Sequence, residues 1–66
     1  MKDLGKTIAK YRKEHKLNQS QLAKELENYD IYVKQNSISA WELGTATPNA
    51  RQFLVLCEIL EIYDIY

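Results

Sequence analysis

Side chains able to do covalent or metal chemistry are few and scattered along this chain of 66 residues. Cys57 is the lone cysteine and His15 the lone histidine, with no partner at metal-ligand spacing. Cys57 falls within an apolar run, where a thiol behaves as a small inert hydrophobe. No glycine-rich phosphate loop, nucleophile elbow or paired-carboxylate site occurs. The expectation is no catalytic residue, no metal and no cofactor. The conspicuous polar groups are neutral carboxamides and hydroxyls, in Asn18-Gln19-Ser20-Gln21 and in Gln35-Asn36-Ser37. Such groups donate and accept hydrogen bonds without carrying charge, which suits recognition.

The elements that position them must fit one small domain spanning residues 1–66. Apolar residues make up 45% and charged residues 27%, a globular balance that excludes a disordered tail. Two glycines and one proline leave little room for a turn-rich β architecture, so the expectation is all-α. No apolar run approaches the roughly 20 residues of a membrane span, and Met1-Lys2-Asp3-Leu4 lacks a signal-peptide core. With one cysteine there is no internal disulfide, so a reduced, cytoplasmic setting is expected. Nine basic and nine acidic side chains cancel, but unevenly. Residues 1–34 hold eight basic against five acidic, while residues 35–66 hold Arg51 against four acids. One side is therefore suited to anions and the other turned elsewhere.

Periodicity and capping signals predict four helices. Asp3 caps a first helix running to His15, with Leu4, Ile8 and Tyr11 inward. Asn18 with Gln21 forms a capping box, stapled by Leu17 and Leu22, and opens a second helix near Gln19 that fades around Asn28. A third helix follows Lys34, a poor capper, so its start could slip to Asn36; Ile38 and Trp41 face inward and Gly44 stops it. Asn49 with Gln52 caps a fourth helix to about Ile62, with Phe53, Leu54, Leu56, Cys57 and Leu60 inward. The run Phe53 to Cys57 alone would also fit a buried strand; the cap and the length favour helix.

Two short helices joined by a turn, with a helix before and after, is the layout of a DNA-binding helix-turn-helix, though other small bundles share it. Specific residues narrow the choice. Arg12, Leu17-Asn18-Gln19-Ser20-Gln21-Leu22-Ala23, Ile38-Ser39-Ala40-Trp41-Glu42-Leu43-Gly44 and Pro48-Asn49 together resemble the lambda-repressor-like (Cro/cI-type, XRE) helix-turn-helix family over residues 4–62. The resemblance implies a compact four- to five-helix domain that binds double-stranded DNA as a transcriptional regulator, most often a repressor. It implies that the third helix reads bases through Gln35, Asn36 and Ser37, with Ser39 and Ala40 one turn on. Carboxamides suit this, because they pair with adenine N6 and N7. Phosphate contacts are implied at Asn18, Gln19, Lys34 and Thr45, Gln19 lying at the positive end of the second helix. Arg12 and Glu42 match a pair that joins the first helix to the third by a bidentate salt bridge.

The chain also departs from the family pattern. Asn28-Tyr29-Asp30-Ile31-Tyr32 lengthens the turn by about five residues; Tyr29, Ile31 and Tyr32 are expected to pack it down. Thr45-Ala46-Thr47 stands where many relatives carry basic residues, and Glu61 replaces a frequent terminal glycine, so the last helix should run on. Val55, Ile59, Ile62 and Tyr66 form a second apolar stripe. With Tyr63 it either serves self-association, as in a homodimer on a palindromic operator, or is buried by the domain itself. The setting implied is a prokaryotic or phage cytoplasm, with two alternatives for the chain: a whole regulator or the N-terminal domain of a longer one. The rival reading is a protein-interaction or antitoxin-like module on the same fold, favoured by the balanced charge.

Overall fold

The computed structural model describes residues 3–63, which form four α-helices and no strand. They are α1 (Leu4–Glu14), α2 (Gln19–Glu27), α3 (Gln35–Leu43) and α4 (Ala50–Leu60). Three starts follow the sequence signals. The Asp3 carboxylate accepts from the Lys6 amide at 3.0 Å. Capping boxes form at Asn18 and Gln21 (2.7 and 2.8 Å) and at Asn49 and Gln52 (2.8 Å each). Helix α3 alone lacks a side-chain cap, since the ammonium of its N-cap Lys34 cannot accept from an amide.

All four helices stop in the same way. A residue with positive φ follows each one: Lys16 (58°), Asp30 (60°), Gly44 (85°) and Glu61 (55°). The next amide then reaches back five residues, from Leu17 to the Arg12 carbonyl, Ile31 to Leu26, Thr45 to Ala40 and Ile62 to Cys57, at 3.0 to 3.1 Å. This closure satisfies orphan carbonyls, and at three of the four ends it turns the following residue (Leu17, Ile31 and Ile62) onto the core. It also corrects the expected boundary of the last helix: α4 ends at Leu60, because Glu61 adopts the left-handed conformation that a glycine would take with less strain. The lengthened turn starts as a tightened continuation of α2, with i to i+3 bonds from Asn28, Tyr29 and Asp30, and the chain then runs extended into α3.

The core gathers Ile8, Leu22, Leu26, Ile38, Leu56, Leu60 and Ile62, with Ile31, Trp41, Ala23 and Cys57 around them. Fully burying one such aliphatic side chain is worth roughly 1.5–3 kcal/mol, so this small set carries the domain. Two expectations are corrected here. Leu54 is 66% exposed, because it shares an edge of α4 with Arg51, Glu58 and Glu61 rather than the inward arc of Phe53, Leu56, Cys57 and Leu60. Ile62 is buried, so it cannot serve a self-association surface, while Val55 and Ile59 are half-buried against the core. The domain itself thus covers much of the second stripe. Tyr63 is exposed, and Tyr66 lies outside the described residues.

A contact that the sequence analysis passed over sets how closely α1 meets α3. Gly5 lies on the same face as Ile8 and Arg12, and all three are buried. A Cβ at Gly5 would stand 2.4 Å from the Glu42 carbonyl oxygen and 2.6 Å from that of Trp41. Its spacing to Ile8 and Arg12 (i, i+3, i+7) was the available signal.

Candidate nucleic-acid interface

The site is built outward from Arg12. Its guanidinium makes three bonds: Nε donates to Glu42 Oε2 at 2.6 Å, Nη2 to Glu42 Oε1 at 3.1 Å and Nη1 to the Leu17 carbonyl at 2.8 Å. Helix α1, the α1–α2 turn and the end of α3 are thereby locked together by one planar group. Both side chains are about nine-tenths buried. Burial pushes the Glu42 pKa up, but hydrogen bonds from Arg12 and Gln19, with the charges of Arg12 and Lys13, outweigh it. The carboxyl therefore titrates below its ordinary value and is ionised at neutral pH.

From Glu42 the bonding continues toward the surface. Gln19 Nε2 donates to Glu42 Oε1 at 3.0 Å, and Gln35 Nε2 donates to Gln19 Oε1 at 3.1 Å. Ser20 Oγ donates to Gln35 Oε1 at a long 3.5 Å. The first turns of α2 and α3 are thus joined side chain to side chain, and Ser20 is a participant that sequence reasoning missed. Gln35 and Asn36 are exposed at the leading end of α3, with Lys34 exposed beside them. Ser37, Ser39 and Ala40 are half-buried, Ala40 one turn deeper along the helix.

The other expected residues fall as follows. Asn18 is exposed, but its Oδ1 is engaged in capping α2. Thr45 is exposed, and its hydroxyl donates to the Ala40 carbonyl at 3.4 Å. Helix α3 starts at Gln35 with Lys34 as N-cap, not at Asn36. The tyrosines do not pack the lengthened turn down: Tyr29 and Tyr32 are 40% and 72% exposed, and only Ile31 is buried. Arg51, to which sequence reasoning gave no role, does that work instead, donating to the Tyr29 carbonyl at 2.9 Å. The turn leaves the leading end of α3 open to solvent, as the exposure of Gln35 and Asn36 requires.

The described residues hold no group of His, Cys, Asp and Glu fit for a metal ion, and no helix long and apolar enough to cross a membrane. Cys57 is buried, and that burial pushes its thiol pKa up, away from the reactive thiolate. His15 donates from Nδ1 to the Tyr11 carbonyl at 2.9 Å, with Nε2 3.8 Å from Glu61.

A search of curated proteins and a search of solved structures each return no match. A family model described as a helix-turn-helix domain matches residues 5–64, beginning at the glycine that lets α1 meet α3. Nearly the whole chain lies within that match, and the four helices fit the same description. The chain therefore belongs to the helix-turn-helix domain family, whose members bind DNA.

Proposed function

We propose that this domain is a sequence-specific regulator of transcription, acting as a repressor by occupying double-stranded DNA without catalysis. The observation that carries the reading is the exposed pair Gln35 and Asn36, standing at the leading end of a helix whose other end is bolted down by Arg12 and Glu42. In this reading α3 enters the major groove, which is wide enough for a helix and displays a distinct donor and acceptor pattern for each base pair. Gln35, Asn36 and Ser37 meet base edges, with Ser39 and the small Ala40 behind them. Asn18, Gln19, Lys34 and Thr45 hold phosphates on either side. The uncapped amides at the start of α3, beside Lys34, suit an anion better than a capped helix would.

The regulator works as a homodimer on a palindromic operator, in the cytoplasm of a prokaryote or its phage. With Ile62 buried, the rims of Val55 and Ile59 and the exposed Tyr63 are, among the described residues, the parts left for self-association. The neutral loop Thr45-Ala46-Thr47 and the balanced charge imply few neutralised phosphates, and each contributes a slope of about −0.9 in log K against log salt.

A titration against random-sequence duplex at low and moderate salt tests the reading: binding should weaken with salt and fall in Gln19→Ala. A second reading, a protein-interaction or antitoxin-like module, is favoured by exposed Leu43 (76%) and Leu54 (66%). It requires no duplex binding at any salt concentration.

A further inference from the structure

We propose that Glu42, beyond joining two helices, sets the sense in which Gln35 presents its carboxamide to a base pair, acting through Gln19 as a positioning residue. The inference rests on the DNA-reading function proposed above. Its basis is the direction of the bonds: Ser20 donates to Gln35, Gln35 to Gln19 and Gln19 to Glu42. The chain runs one way and ends on a carboxylate both of whose oxygens also accept from Arg12.

A carboxamide has two nearly isosteric ends, and only its partners decide which end points where. An ionised carboxylate accepts and cannot donate. Gln19 must therefore turn its NH2 toward Glu42, since the opposite sense would set two oxygens about 3.0 Å apart. With that sense chosen, the Gln19 oxygen faces Gln35, and Gln35 must turn its own NH2 inward. Ser20, whose hydroxyl can serve either end of a carboxamide, donates to the Gln35 oxygen in this sense. After these bonds Gln35 retains one N–H and one lone pair, facing outward in a set order. Those are the two groups that a bidentate contact with adenine N6 and N7 consumes. A Gln35 free to flip would offer the reversed order for part of the time and discriminate less.

The test is selection from a pool of randomised duplexes, with base preference read position by position. The wild-type chain should show a position preferring adenine, and Gln35→Ala should flatten it. A good bidentate contact discriminates about 5- to 150-fold. Gln19→Leu, which leaves the Arg12–Glu42 bonds intact, should reduce the preference at that one position several-fold while the others keep theirs. The paired change Arg12→Glu with Glu42→Arg restores a salt bridge but ends the chain on a donor-only guanidinium. A merely structural role for Glu42 predicts that this variant recovers the wild-type preference; the positioning role predicts a lost or altered one. Full wild-type preference in Gln19→Leu, or in a cooperatively folded swapped variant, would overturn the inference. So would a Gln35→Ala profile with no flattened position. If the swapped pair does not fold, Gln19→Leu decides. A wild-type chain that selects no sequence would instead remove the DNA-reading function itself.

Discussion

Replacing Glu61 by glycine should make the domain more stable, although no contact is added. Glu61 closes α4 at φ 55° and ψ 46°, a left-handed conformation that costs an L-residue about 1–2 kcal/mol. Its acid also sits at the negative end of the α4 dipole, unfavourable by up to about 1 kcal/mol before solvent screening at an exposed site. Glycine removes both terms but loses roughly 0.4–1 kcal/mol through the greater freedom of the unfolded chain. The contact with His15, at 3.8 Å, lies at an exposed site where solvent screens it, and it contributes little. The balance is a gain of about 1 kcal/mol, or 4–8 °C in melting temperature for a domain of this size. Urea unfolding followed by the buried Trp41 measures it, with Glu61→Ala as the control that removes the acid but stays an L-residue. A Glu61→Gly variant no more stable than Glu61→Ala would refute the claim that backbone strain, rather than charge, is what glycine relieves.

Gly5→Ala should lower the unfolding free energy, measured by urea titration, by at least the roughly 1–3 kcal/mol of an overpacked core, because the new methyl meets backbone oxygens of α3 that cannot swing aside. Arg12→Met leaves the nearly buried Glu42 unpaired and should cost about 3–5 kcal/mol; Arg12→Lys should rescue little of it, having no fork for both carboxylate oxygens and the Leu17 carbonyl. Glu42 has a folded-state pKa below its unfolded value, so the stability it contributes is complete above the unfolded value near 4.5 and is lost as pH falls through the folded one. Urea midpoints across that acid range should therefore fall less steeply in Glu42→Gln than in the wild type. Lys34→Asp gives α3 the side-chain cap it lacks and should raise stability by about 0.5–2 kcal/mol. The same change should weaken duplex binding and reduce the salt slope by about 0.9, and stronger binding would exclude Lys34 from the phosphate contacts.

Much of the fold was legible because it rests on local rules. The two capping boxes, the Asp3 cap and the Gly44 stop each depend on residues within a few positions of one another. The Arg12–Glu42 pair was legible only through family resemblance, since its members lie thirty positions apart. The errors arose where a local rule was overridden. Glu61 ends a helix that its type would have continued, because Ile62 gains burial only if the chain turns there. Tyr29 and Tyr32 stay exposed, while Ile31 is buried and Arg51 bonds the turn through the Tyr29 carbonyl.

Periodicity, caps and residue types were enough to determine an all-α domain and the helix that bears Gln35 and Asn36, since helix formation answers to neighbours along the chain. Tertiary packing alone decided that Gly5 must be bare, that Ile62 is core rather than surface, and that Ser20, Gln35, Gln19 and Glu42 form one directed chain of bonds. Those outcomes depend on close approach between helices and on which end of an amide meets a carboxylate. Both are set by the folded arrangement in three dimensions, to which spacing along a single helix is blind.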